Sequence, residues 1–111
     1  MPAELTFAQG RLLAYVAANP EASLYIENRE SSSPHEGPTF HGYVYVNRCP
    51  TCGHAERKSV SWRVIFALHE GGFIKPTFGS YQASGITDLG RAALSTWATK
   101  YPRARPWSRS R

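Results

Sequence analysis

Cysteine, methionine and long apolar runs are scarce in this chain of 111 residues, which has two cysteines and one methionine. No run approaches the roughly eighteen apolar residues of a membrane-spanning helix, and the opening MPAELTFAQG lacks the basic and then apolar pattern of a signal peptide. A cytoplasmic protein is therefore expected, and a reducing compartment disfavours a structural disulfide. The hydrophobic content of 41% and aromatic content of 13% are typical of one globular domain.

Recognisable catalytic motifs are also lacking. The chain contains no glycine-rich phosphate loop, no HExxH and no GxSxG sequence. Its eight carboxylates and four histidines stand in no familiar catalytic arrangement. The sequence therefore predicts a protein that is not an enzyme.

Acidic residues are missing from the C-terminal segment, which carries the excess positive charge. Residues 100–111 contain five basic residues, whereas residues 1–99 hold eight residues of each sign, and the net charge is +5. This asymmetry predicts a folded domain over residues 1–99 and a basic flexible tail over residues 100–111. The tail arginines Arg103, Arg105 and Arg109 either follow DNA phosphates or serve only to keep the protein soluble.

Hydrophobic periodicity and capping signals predict three helices and several strands. Thr6 and Gln9 have the spacing of a capping box at the start of the first helix, and Thr87 is the predicted cap of the third. Gly79-Ser80 suits the turn of a β-hairpin, the predicted wing. The predicted helices are 5–19, 60–71 (capped by Ser59) and 88–99; the predicted strands are 23–27, 41–47, 57–59, 73–78 and 81–83.

Both cysteines stand in the sequence RCPTCGHAERK, between the predicted strands 41–47 and 57–59. A Cys-Pro-x-Cys-Gly turn can direct the thiolates of Cys49 and Cys52 to one point, as in half of a zinc site. Candidates for the remaining ligands are His54, His41 and the same two cysteines of a second chain. The alternatives are a metal-free turn and a redox pair, although a redox pair normally stands at a helix N-terminus that is not predicted here.

Three stretches resemble small winged-helix proteins of actinobacteria and their phages. VSWRVIFALHEGGFI resembles the second helix of a helix-turn-helix unit running into a wing strand, GITDLGRAALSTW resembles the segment after the wing, and LTFAQGRLLAYVA resembles the opening of such proteins. The chain departs from the pattern where strands replace the short first helix of that unit and where the cysteine turn is inserted.

The resemblance implies an α+β winged-helix-like domain with three helices, a C-terminal β-hairpin wing and a zinc-knuckle-like hairpin inserted at about residues 41–59. It also implies a transcriptional regulator of a phage or its bacterial host that binds double-stranded DNA, with the second helix in the major groove and the wing against phosphate. In that arrangement Arg57, Lys58, Arg63 and the tail arginines contact phosphate, and Ser61, Trp62 and His69 lie nearest the bases.

The outer face of the second predicted helix has few of the polar side chains that read base edges. If Val60, Val64, Ala67 and Leu68 face the core, the outer positions are Ser61, Trp62, Ile65, Phe66, His69 and Glu70. Either this helix is buried on both sides, or Trp62, Ile65 and Phe66 form a patch for a protein partner or a homodimer. The alternative function is therefore a small phage-encoded inhibitor or adaptor that binds a host or defence protein.

Overall fold

The computed structural model describes residues 4–29, 39–49, 54–76 and 79–105, with backbone alone for residues 29, 47–49 and 54–56. The described residues form three helices and a four-stranded antiparallel sheet, which confirms the α+β class. In chain order the elements are α1 (Phe7–Ala18), β1 (Ala22–Arg29), β2 (Thr39–Cys49), β3 (His54–Val60), α2 (Trp62–Glu70), β4 (Tyr81–Gln82) and α3 (Asp88–Lys100), with a 3-10 turn at Ala83–Gly85 between β4 and α3.

Local capping chemistry sets the start of α1 and of α3. The Thr6 hydroxyl accepts a hydrogen bond from the Gln9 backbone while the Gln9 side chain accepts one from the Thr6 backbone, which is the predicted capping box. Thr87 likewise accepts from the Gly90 backbone, and Asp88 lies at the positive end of α3. Both predicted helices are confirmed. In the described ranges no helix is both long and apolar enough to cross a membrane.

The sheet has the strand order β3-β2-β1-β4. The predicted strands at 23–27, 41–47 and 57–59 are confirmed, and the first of them lies in the interior of the sheet, between β2 and β4. The predicted wing falls partly on residues 77 and 78, outside the described residues. In the described part, the predicted strand at 73–78 is wrong over residues 73–76, where Ile74 forms only an isolated bridge to Ile86. The predicted strand at 81–83 is formed by Tyr81 and Gln82, but among the described residues it pairs with Leu24 and Ser23 of β1 instead of forming a hairpin with the preceding segment.

Helix α2 begins later than predicted. Val60 still pairs with Gly42 as the last residue of β3, so the chain cannot turn into a helix before Trp62. The N-cap is therefore Ser61 rather than Ser59. The predicted end is confirmed, because the helix stops at Gly71 and Gly72 then adopts a positive φ of 78°.

One face of the sheet and all three helices enclose the hydrophobic core. Ile65 and Leu68 of α2 are fully buried there, so the prediction that Ile65 lies on the outer face of the helix is wrong. With the helix starting at Trp62, the positions that point at the sheet are these two, three residues apart. The other buried core residues are Leu5, Leu12, Leu13, Val16, Ala22, Leu24, Val44, Val46, Phe73, Ile74, Ile86 and Trp97.

The first residues of the predicted tail are folded against α1. Tyr101 and Ala104 pack at the edge of the core, and the Arg105 carbonyl accepts a 3.0 Å hydrogen bond from Nε of Arg11. The Tyr101 ring lies 5.2 Å from that of Phe7. Residues 101–105 therefore contact the folded part of the chain, and the predicted boundary after Thr99 stays a prediction.

Candidate nucleic-acid interface

The face of the sheet that points away from the core carries a group of aromatic side chains. Side chains alternate between the two faces of a strand, so Tyr25 lies on the opposite side from its core neighbour Leu24. Antiparallel register places Tyr43 directly opposite Tyr25. We call this surface the tyrosine face, and its members are Tyr25, His41, Tyr43, Tyr45 and Arg57.

The rings of the tyrosine face contact one another across and along the strands. The Tyr25 ring centroid lies 5.2 Å from that of Tyr43 and 6.4 Å from that of Tyr45. His41 stacks with Tyr43 at 6.5 Å. Tyr43 at the centre is only 6% exposed, whereas Tyr45 keeps 41% of its surface exposed. The face therefore has a covered centre and a ring that remains open to a ligand.

Arg57 lies on this face, not beside α2. Its guanidinium carbon is 4.3 Å from the centre of the Tyr43 ring, a cation–π geometry. The hydrogen bond between the guanidinium and the Tyr25 side chain is the main cause that raises the pKa of Arg57 above its ordinary value. Arg57 is exposed, so its positive charge is presented to solvent.

Four of the predicted DNA-contacting residues lie together where β3 passes into α2. Lys58 and Arg63 are both exposed, and Ser61 between them is the N-cap of α2. The fourth residue is Trp62, and the guanidinium carbon of Arg63 lies 5.4 Å from the centre of its ring. A Cβ at Gly42 would lie 2.8 Å from backbone atoms of Trp62, so the chain crosses close to β2 at this point.

A second aromatic surface, the Trp62 cluster, consists of Phe40, Trp62 and Phe66. The Trp62 ring lies 5.1 Å from Phe40 and 6.2 Å from Phe66. Phe40 is 42% exposed and Phe66 47% exposed. The predicted aromatic patch is therefore present in an altered form, with Phe40 in place of the buried Ile65.

His69 lies apart from the other predicted base-contacting residues. It is seven residues beyond Trp62, about 10 Å along the helix axis. Its Nδ1 is 3.3 Å from the Tyr81 hydroxyl, and the two rings meet edge to face. Partial burial raises the pKa of Tyr81 above its ordinary value. His69 therefore joins α2 to β4.

Two of the predicted tail arginines lie on the segment after α3 that packs against α1. Arg103 and Arg105 are exposed on the segment that follows α3, and the Arg105 carbonyl is bonded to Arg11 of α1. Arg109 lies outside the described residues.

The predicted zinc ligands are only partly described. Cys52 lies outside the described residues, and the backbones of Cys49 and His54 face each other in the register of β2 and β3. His41 is eight residues before Cys49 in β2, about 26 Å along an extended strand, which is too far for a ligand of the same ion. Within the described ranges, no group of three metal-ligating side chains is found.

Sequence reasoning missed the tyrosine face, although the signal is present in HGYVYVN. Gly42, Val44 and Val46 alternate with His41, Tyr43 and Tyr45, so both faces of this strand carry apolar or aromatic residues. Only the pairing with β1 and β3, which brings in Tyr25 and Arg57, turns the aromatic face into a cluster.

No protein-family model, no curated protein and no solved structure matches the chain. The function has to be argued from the geometry of these surfaces.

Proposed function

We propose that the protein is a non-enzymatic protein that binds double-stranded DNA, and that it is a transcriptional regulator of a phage or its bacterial host. The observation that carries the proposal is the pair of exposed cations, Lys58 and Arg63, on either side of the N-terminus of α2. The net charge of +5 favours an anionic partner. Residues 103 and 105 supply two further exposed arginines.

The start of α2 is suited to a phosphate group. The N-terminus of a helix carries a partial positive charge and backbone N–H groups without helical partners. The N-cap residue Ser61 makes no side-chain hydrogen bond to the first turn of α2. A phosphate placed at this end would meet the helix dipole, Lys58 and Arg63 together. In this binding mode Ser61 and Trp62 are nearest the bases.

The winged-helix interpretation is part of the same proposal. After α2 the chain forms a loop closed by the bridge between Ile74 and Ile86, and α3 follows, in the order that the resemblance implies. The loop would contact the DNA backbone beside α2. Arg57 is the exception among the predicted phosphate contacts, since it lies on the tyrosine face.

A salt titration of duplex binding tests the proposal with the full chain, Arg63→Ala and Arg91→Ala. Arg91 is an exposed arginine of α3, so its variant is a control that removes the same charge. We expect Arg63→Ala to weaken binding and to reduce the salt slope by about one, because one phosphate contact is lost. Arg91→Ala should match the wild type. Absence of duplex binding by the full chain at about 100 mM salt, close to physiological screening, would contradict the proposal.

The Trp62 cluster favours a second candidate function, a small inhibitor or adaptor that binds another protein. Contiguous exposed rings are typical of protein-binding surfaces. Phe40 and Phe66 flank Trp62 and are both more than two-fifths exposed. If the full chain does not bind DNA, this surface becomes the leading candidate, and Phe66→Ala should then weaken complex formation.

A further inference from the structure

We propose that the tyrosine face binds single-stranded nucleic acid by stacking unpaired bases on Tyr45, Tyr25 and the outer surface of Arg57. This surface lies on the opposite side of the sheet from α2. The inference therefore goes beyond the proposed duplex binding and does not depend on it.

The chemistry of this face differs from that of an ordinary solvent-facing sheet. Antiparallel sheets with one buried face usually carry polar side chains on the other. Here Tyr25 and Tyr43 form a cross-strand pair, and Tyr45 follows on the next outward position of β2. Aromatic rings on an open sheet are the surface on which single-strand binders stack successive bases.

The geometry of the face keeps these groups in place before any ligand arrives. The Tyr43 ring supports Arg57 from below, and Tyr25 holds the same guanidinium by a hydrogen bond. The guanidinium therefore lies over a ring, and Arg57 remains exposed. A planar cation in this position can stack on a base and attract a phosphate at the same time.

Polar side chains fill the positions between the rings. Ser23 lies opposite Tyr45, and Ser59 lies opposite Tyr43 in the strand register. Gln82 of β4 pairs with Ser23 and extends the row to the edge of the sheet. Hydroxyl and amide groups at these positions can hydrogen-bond the edges of stacked bases.

The exposed cation of the face, Arg57, favours a ligand that carries both negative charge and flat groups. Arg57 lies opposite Tyr45 in the register, and its guanidinium reaches over the neighbouring Tyr43 ring. The acidic member of the face, Glu27, lies opposite His41 and is one of the groups that raise the pKa of Arg57. An anionic ligand with flat apolar groups complements this arrangement.

The experiment measures binding of labelled single strands to the full-length protein. The probes are single-stranded DNA and RNA of about ten nucleotides, within the site sizes of single-strand binders, and a DNA duplex of the same sequence. The DNA and RNA probes distinguish the two sources of unpaired bases. The variants are Tyr45→Ala, Tyr45→Phe, Arg57→Lys and Leu89→Ala. Thermal unfolding of each variant checks that the fold is kept.

We expect Tyr45→Ala to weaken single-strand binding by about fivefold to 150-fold, the range for loss of one stacked base. Tyr45→Phe keeps the ring and should retain affinity. Arg57→Lys keeps the charge but loses the planar stack, so affinity should fall. Leu89→Ala removes an apolar side chain of α3 that is 46% exposed, and should bind as the wild type does.

The proposal is overturned if the full-length protein does not bind either single strand, or if Tyr45→Ala and Arg57→Lys both bind as tightly as the wild type. If neither single strand binds, the ligand of this face is a protein and not a nucleic acid. Failure of duplex binding does not overturn this proposal, because duplex binding is tested at Arg63 and single-strand binding at Tyr45.

Discussion

Gly10 shows at the scale of a residue how closely α1 packs against α3. A Cβ at this position would overlap the indole ring of Trp97, which is itself 5% exposed. Glycine in a helix normally costs about 1 kcal/mol relative to alanine, so its presence at position 10 has to be explained by packing. Position 10 is a glycine because the ring of Trp97 occupies the space that a side chain would need.

Gly10→Ala should therefore destabilise the protein, although it improves helix propensity. Overpacking costs about 1–3 kcal/mol, and the propensity gain of about 1 kcal/mol offsets only part of it. We expect urea unfolding to show a net loss of up to about 2 kcal/mol, the largest difference between these two figures, because the added Cβ would overlap the Trp97 ring. In a Trp97→Leu background the overlap is absent, and the same substitution should be neutral or stabilising. An equal loss in both backgrounds would show that Trp97 is not the cause.

At the scale of elements, the features that could be predicted from sequence are those set by neighbouring residues. The capping box of α1 and the Thr87 cap of α3 each join residues three positions apart, and both predictions are confirmed. The start of α2 was misjudged because it depends on Val60 pairing with Gly42, eighteen positions away. The pairing of Tyr81 with β1 is equally non-local.

The zinc prediction can be tested at the ends of β2 and β3. The backbones of Cys49 and His54 lie opposite each other in the register, and Cys52 is three positions after Cys49 in the sequence, outside the described residues. Thiolate and imidazole groups are typical zinc ligands. We expect protein purified without added metal to contain zinc, and Cys52→Ser to lose it. His54→Ala should bind zinc more weakly, whereas His41→Ala should match the wild type because of its distance along the strand. Protein free of zinc, with two thiols that titrate freely, would indicate the metal-free turn.

At the scale of the whole molecule, the candidate sites follow from how the elements assemble. Lys58, Ser61, Trp62 and Arg63 are close in sequence, and their proximity at one junction could be predicted. The tyrosine face could not be predicted from the sequence, because its residues come together only through the register of β1, β2 and β3. The Trp62 cluster was half predicted, because Phe40 comes from the distant start of β2.

The segment after α3 provides the last test, because it contacts the folded part of the chain. Tyr101 packs against Phe7 at 5.2 Å and Trp97 at 5.7 Å, and Arg11 holds the Arg105 carbonyl. A chain that ends after Thr99 loses all three contacts. Each aromatic pair contributes about 0.5–1.5 kcal/mol beyond buried area, so the two pairs of Tyr101 alone predict that this truncation lowers the free energy of unfolding by about 1–3 kcal/mol.

A chain that ends after Arg105 is the matched control. It keeps these contacts and lacks only residues 106–111, which include Arg109 and Arg111. Its stability should equal that of the full chain, while its affinity for DNA reports the contribution of residues 106–111. Denaturant unfolding of the three chains decides the matter. If the chain ending after Thr99 is as stable as the other two, residues 100–105 do not belong to the folded domain, and the boundary lies after Thr99.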